Sequence, residues 1–133
     1  MPSERFPPDD PREWLNRARS NLAQAKVHVS GVYLEDLCFA AQQAAEKAIK
    51  AVFVYHGLDF PFVHDLARLL TLLEEAGHRV PKYVRQAERL ARFAVATRYP
   101  GFSGPVARRD HQRAVRIAEA VLRWAARQIG EKP

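Results

Sequence analysis

The sequence predicts an all-α fold, an up-and-down four-helix bundle with one additional short helix. Apolar residues recur every three or four positions in five segments, as they do on one face of an α-helix. No segment shows the sustained alternation of apolar and polar residues that is typical of a half-buried strand. The connections between most segments are short, which favours antiparallel packing of neighbouring helices.

The size and composition of the chain fit one globular domain. The chain has 133 residues, of which 47% are hydrophobic and 27% are charged. We expect residues 1–9 to form a flexible, proline-rich tail and residues 10–133 to form a single domain. The one cysteine, Cys38, excludes an internal disulfide and suits a reducing compartment.

Two further features of the sequence favour a cytoplasmic protein. The N-terminal residues include acids and no apolar run, unlike a secretory signal peptide. No segment approaches the roughly 18 uninterrupted apolar residues that a membrane span requires. We therefore predict a cytoplasmic location and no membrane partner.

The first two helices are predicted from their caps and apolar faces. Asp10 followed by Pro11 is a typical helix start, and the apolar spacing continues to Val29, before Ser30 and Gly31. The second helix is expected from about Tyr33 to Tyr55. It carries six alanines between positions 40 and 51, and small side chains allow close approach of neighbouring helices. We expect it to be the central helix.

The remaining helices follow from leucine, alanine and proline positions. A short third helix is expected from about Asp65 to Ala76, ending at Gly77, and a fourth from about Pro81 to Ala96. Residues 97–105 contain two prolines and two glycines, which exclude a helix. The fifth helix is expected from about Arg109 to Ile129.

The charge of the chain is concentrated in its second part. Residues 1–78 contain 8 Lys/Arg and 11 Asp/Glu, whereas residues 79–133 contain 13 Lys/Arg and 4 Asp/Glu. The arginines form two stripes at helical spacing: Arg85, Arg89 and Arg92 in the fourth helix, and Arg109, Arg113, Arg116, Arg123 and Arg127 in the fifth. A field of one sign favours a polyanionic partner or an acidic protein surface.

Three sets of residues are candidates for an anion site. Arg98, beside a glycine-rich loop and before a helix, is a chemically sensible phosphate ligand. His111 follows Arg108 and Arg109 at the start of the fifth helix, and the alternative for this lone histidine is a structural role. We expect Lys47 and Lys50 of the second helix to contribute to the anion site. They belong to a polar set with Gln42, Gln43 and Glu46. The alternative for that set is a solvated helix face.

The sequence predicts no metal ion and no cofactor. No two of the five histidines lie three or four residues apart on one helix, and no paired nucleophile and base stands out. For His64, which precedes the third helix, the pattern favours an N-cap or a buried hydrogen bond. Arg98 and His111 are the catalytic candidates.

The order of these motifs resembles the HEPN domain family (higher eukaryotes and prokaryotes nucleotide-binding). The resemblance is carried by Phe39-Ala-Ala-Gln-Gln-Ala-Ala-Glu-Lys-Ala-Ile-Lys50, then His64-Asp-Leu, then Arg98-Tyr-Pro100, and it spans about residues 10–129. It implies a helical bundle, a homodimer, and nucleotide or RNA binding. It also implies that this protein is the accessory subunit of a two-component system of the toxin–antitoxin type. The protein partner would then be a nucleotidyltransferase.

Two alternatives to this function stay open at the level of sequence. Some members of the family are metal-independent ribonucleases that use Arg, four to six residues, then His. No histidine of this chain has an arginine at that spacing, so a ribonuclease here requires a degenerate site, with His111 as base and Arg98 or Arg108 as the cation. The other alternative is a purely structural subunit that contacts an acidic protein.

Overall fold

The structure, a computed structural model, describes residues 4–27, 29–96 and 105–131. These residues form helices and connecting turns, and no β-strand occurs among them. The helical elements are α1 (Pro11–Ala25), α2 (Leu34–Tyr55), α3 (Leu66–Glu75), α4 (Lys82–Arg85), a 3₁₀ segment (Gln86–Leu90), α5 (Ala91–Ala96) and α6 (Arg108–Gln128). The predicted all-α fold is confirmed. No helix in the described part of the chain is long and apolar enough to cross a membrane.

Helix α2 is the central element of the bundle, as its alanine content predicted. It packs against α1 and α6 and also contacts α3, the 3₁₀ segment and α5. Its buried residues include all six alanines from Ala40 to Ala51, together with Ile49, Val52 and Phe53. Because alanine projects little beyond the backbone, neighbouring helices lie close to the axis of α2.

Local sequence signals account for where α1 and α3 begin. The Asp10 side chain accepts a hydrogen bond from the backbone N–H of Arg12 at 2.9 Å, with Pro11 in the first turn. Asp65 caps α3 by accepting from the N–H groups of Ala67 and Arg68, so the N-cap is Asp65 and not His64. Four leucines of α3 are fully buried: Leu66, Leu69, Leu70 and Leu73.

Helix α1 ends earlier than predicted. The apolar spacing extended it to Val29, but the last helical residue is Ala25. Val27 and Val29 are 46% and 54% exposed, so burial does not hold them on a helical face. A β-branched residue without tertiary packing has little helix propensity of its own, and the chain leaves the helix after Lys26.

The fourth predicted helix is interrupted by the 3₁₀ segment. Val84, Ala87 and Leu90 are buried and lie three residues apart, which matches the three residues per turn of a 3₁₀-helix. A continuous α-helix would rotate these positions progressively away from the core. The spacing was visible in the sequence, but we predicted a regular α-helix.

The N-terminal residues contact α1 from Glu4 onwards. We predicted a flexible segment over residues 1–9. The Glu4 carbonyl accepts from Asn16 Nδ2 at 2.8 Å, and the Pro8 carbonyl accepts from Trp14 Nε1 at 2.7 Å. The Phe6 N–H donates to the buried Glu13 carboxylate at 2.9 Å. Residues 4–8 therefore cover part of α1.

Candidate functional site

The polar set on α2 is a buried hydrogen-bonded cluster. Gln42, Glu46 and Lys50 are 0%, 3% and 7% exposed, so the alternative of a solvated face is wrong for these three. Lys50 Nζ donates to Glu46 Oε2 at 3.0 Å, and Gln42 Nε2 donates to Glu46 Oε1 at 3.1 Å. His64 Nδ1 lies 2.9 Å from the same Oε1. We call these four residues the Glu46 cluster.

The Glu46 cluster joins α2 to the segment before α3. Burial by itself would raise the pKa of Glu46, but hydrogen bonds from His64, Lys50 and Gln42 outweigh it and hold that pKa below its usual range. Lys50 Nζ also lies 5.0 Å from the centre of the Phe60 ring. Glu46 is therefore a buried carboxylate with a full set of partners, and the cluster fastens the α2–α3 connection to the bundle.

The two predicted lysine ligands are engaged within the protein. Lys50 is buried in the Glu46 cluster, so the structure does not offer it to an external anion. Lys47 Nζ donates to Asn21 Oδ1 of α1 at 2.7 Å. Burial, and then the nearby Arg17 charge, lower the pKa of Lys47. Lys47 therefore connects α2 to α1, whereas Lys50 is held within α2 by Glu46.

His111 is part of the core and not of a surface cleft. It is 4% exposed, and its Nε2 lies 2.6 Å from the Ala25 carbonyl at the end of α1. Because a carbonyl is an acceptor only, the contact requires a proton on Nε2, which the imidazole donates. A ligand or a general base must reach its substrate, and this side chain does not. The structure therefore assigns His111 to the packing of α6 against α1.

Replacing His111 with alanine is expected to destabilise the fold by about 2 kcal/mol, because it leaves the Ala25 carbonyl unpaired beside a cavity. Urea denaturation followed by tryptophan fluorescence measures this. Gln112→Ala, an exposed neighbour on the same helix, is the control and should change stability by less than about 0.5 kcal/mol. Equal losses in the two variants would contradict a core role for His111.

The other predicted anion ligands are placed as follows. Arg98 lies outside the described residues, as do Tyr99 and Pro100. Arg108 and Arg109 are exposed in the first turn of α6. The structure thus separates His111 in the core from its two neighbouring arginines on the surface. The predicted ligands do not form one site among the described residues.

The arginine stripe of the fourth predicted helix is only partly available. The Arg85 guanidinium contacts the carboxylates of Glu74 and Glu88, and it also donates to Thr71 Oγ1 at 3.0 Å. Arg85 is therefore neutralised and fastens α4 to α3. The Arg92 guanidinium lies 4.5 Å from the centre of the Phe93 ring. Arg89, on the 3₁₀ segment, is exposed.

Arg89 and two arginines of α6 line one groove, which we call the arginine groove. Its walls include Arg89, Arg113, Arg116, Tyr83, Gln86 and Ile117, and its volume is about 280 Å³. No carboxylate of the described residues forms an ion pair with Arg89, Arg113 or Arg116. Three guanidinium groups at one concave surface form a field that attracts phosphate oxygens.

The sequence identified the arginines of this groove but not its polar walls. Tyr83 and Gln86 were not among the predicted ligands, because nothing in their spacing distinguishes them from ordinary surface residues. The structure also shows no group of three or more potential metal ligands within the described ranges. The lining residues of the groove supply hydrogen-bond donors and positive charge.

Comparisons with known proteins agree with the helical fold. A model of the HEPN domain matches residues 11–129. Protein TT1696 from Thermus thermophilus is 33% identical, with a TM-score of 0.75 over 89% of this chain and 97% of its own. ST0689, an archaeal HEPN homologue, is 28% identical, with a TM-score of 0.71 over 90% and 98% of the two chains. A search of curated proteins found no match. The chain belongs to the HEPN domain family.

Proposed function

We propose that this HEPN domain binds a nucleotide or RNA through phosphate contacts in the arginine groove. The observation that supports it is the meeting of Arg89, Arg113 and Arg116 at one concave surface with no ion-pair partner among the described residues. Arginine is suited to this task because its planar guanidinium bonds two phosphate oxygens at once. The aromatic wall of the groove, Tyr83, is 43% exposed.

A salt-titrated binding assay tests this proposal. A fluorescently labelled single-stranded RNA is expected to bind, with the logarithm of the affinity falling linearly as the logarithm of salt concentration rises. Three phosphate contacts on a single strand correspond to a slope of about −2. Fluorescence anisotropy between low and physiological salt gives that slope. Absence of binding, or an affinity independent of salt, would overturn the proposal.

The position of His111 supports RNA binding rather than RNA cleavage as the function. The degenerate ribonuclease site required His111 to act as a base next to Arg98 or Arg108. His111 is buried and its Nε2 is directed at the Ala25 carbonyl, so this histidine does not meet an RNA 2′-hydroxyl. We therefore propose a binding module, and not a nuclease that uses this set of residues.

The homodimer and the nucleotidyltransferase partner stay predictions. A protein contact is favoured by the exposed apolar residues near the turn between α1 and α2. Val27, Val29 and Val32 are 46%, 54% and 41% exposed, and Tyr33 is 73% exposed. In this proposal the chain is the accessory subunit of a two-component system. The apolar turn then meets a protein, while the arginine groove remains open to the nucleotide or RNA.

A further inference from the structure

Two histidines distant in sequence stack against each other at one end of the bundle. His56 is the C-cap of α2, and His78 lies between α3 and α4. Their ring centres are 3.7 Å apart and their planes are inclined by 19°. Both imidazoles line a pocket of about 750 Å³, which we call the histidine pocket.

The histidine pocket is surrounded by positive charge. Arg79, Lys82 and Arg127 line it together with the two imidazoles, and no carboxylate is among the described residues of its wall. Tyr55 packs edge-on against His56, with 5.1 Å between ring centres. Burial, and then the proximity of His78, lower the pKa of His56. Near neutral pH, His56 can therefore take up a proton when an anion binds in the pocket.

The histidine pocket is adjacent to the arginine groove. Tyr83 lines both, and its hydroxyl accepts a hydrogen bond from Arg127 Nη2 at 2.9 Å. Because the two surfaces share Tyr83, a strand whose phosphates occupy the arginine groove can continue into the histidine pocket.

We propose that the histidine pocket binds the terminal phosphomonoester of the RNA or nucleotide held in the arginine groove. This inference rests on the proposed function and names the group that the pocket selects. A phosphomonoester carries about −1.5 to −2 charges at neutral pH, whereas an internal phosphodiester carries one. Three cationic side chains and two imidazoles that can donate hydrogen bonds therefore favour the monoester over any internal phosphate.

The preference for a terminal phosphate is expected to depend on pH. The bound anion stabilises the protonated form of His56, whose pKa is lowered by burial, so binding takes up a proton and the gain in affinity increases as pH falls. Three RNAs of one sequence separate the possibilities: a 5′-phosphate, a 3′-phosphate, and hydroxyls at both ends. We expect one of the two phosphorylated RNAs, either the 5′- or the 3′-phosphate, to bind about 10-fold tighter than the hydroxyl RNA near pH 6. This gain in affinity should shrink towards pH 8.

Variants of the two histidines test whether the gain in affinity from the terminal phosphate comes from the histidine pocket. His56→Asn and His78→Asn should each reduce the phosphate preference near pH 6 while leaving the affinity for the hydroxyl RNA unchanged. Arg79→Gln, which keeps both imidazoles, should lower the gain yet preserve its pH dependence. Arg68→Gln, an exposed arginine of α3 outside both surfaces, is the control and should change neither.

The outcomes separate this inference from the proposed function. If all three RNAs bind equally near pH 6, the inference is overturned and the arginine groove stands. A preference that persists in both histidine variants also overturns it. If none of the RNAs binds, both proposals fail. A preference lost in the histidine variants, with intact binding of the hydroxyl RNA, supports the inference.

Discussion

Replacing Glu46 with alanine is expected to lower the free energy of unfolding by about 3–5 kcal/mol. The variant leaves the Lys50 ammonium buried without its carboxylate partner, and it removes the acceptor of Gln42 and His64. An unpaired charge in the core costs far more than the pair contributes. Urea denaturation of the wild type and the variant, followed by circular dichroism, measures the difference.

Two further variants show whether the charge is the cause. Glu46→Leu combined with Lys50→Met removes both charges and keeps apolar volume, so it should be more stable than Glu46→Ala. Glu75→Ala, an exposed acid of α3, should change stability by less than about 0.5 kcal/mol. A double variant no more stable than Glu46→Ala would show that packing, and not the unpaired ammonium, determines the cost.

The same cluster predicts how acid affects the wild type. The folded pKa of Glu46 lies below its unfolded value, so its stabilisation is present above the ordinary glutamate pKa. It is lost as pH falls through the lowered folded value, because the unfolded chain then binds the proton more readily. Glu46→Ala should therefore lose less stability than the wild type over this acidic range.

Replacing Arg89, Arg113 and Arg116 together with alanine is expected to weaken RNA binding by about 100-fold at low salt. Each guanidinium contributes roughly one phosphate contact, and the slope of log affinity against log salt should flatten by about 2. All three side chains are exposed, so the fold should be retained. Anisotropy titrations at several salt concentrations measure affinity and slope in the same experiment.

A charge-matched control distinguishes the groove from the net charge. Arg12, Lys26 and Arg68 are exposed and lie outside the arginine groove, and their replacement by alanine removes the same three charges. That variant should bind RNA within about threefold of the wild type, because only the long-range field is reduced. Equal losses in the two triple variants would mean that overall charge, rather than this groove, determines binding.

Local chemistry accounts for most of the secondary structure that the sequence predicted. Asp10 and Asp65 cap their helices through side-chain bonds that involve residues two or three positions away. Four of the five leucines of α3, and the alanines of α2 from Ala40 to Ala51, are buried where their spacing placed them. The errors occur where burial decides: α1 stops at Ala25 because Val27 and Val29 remain exposed.

The candidate site was less accessible to sequence analysis. Arg85 has the same spacing as Arg89, yet Glu74 and Glu88 neutralise the first and leave the second available. His111 looked like a surface ligand because it follows two arginines, but a helix turns by about 100° per residue and the position of His111 is buried. The type and spacing of side chains along one helix do not show which carboxylates of a neighbouring helix lie next to them.

The sequence by itself determined the helical class, the approximate positions of the helices and the concentration of arginines in residues 79–133. Each depends on interactions between residues a few positions apart, or on composition. Only the tertiary structure decided that Glu46 and Lys50 are buried, that Arg89 meets Arg113 and that His56 stacks on His78. These depend on how helices pack across long separations in the chain, and that packing determines which charges are paired and which remain for a ligand.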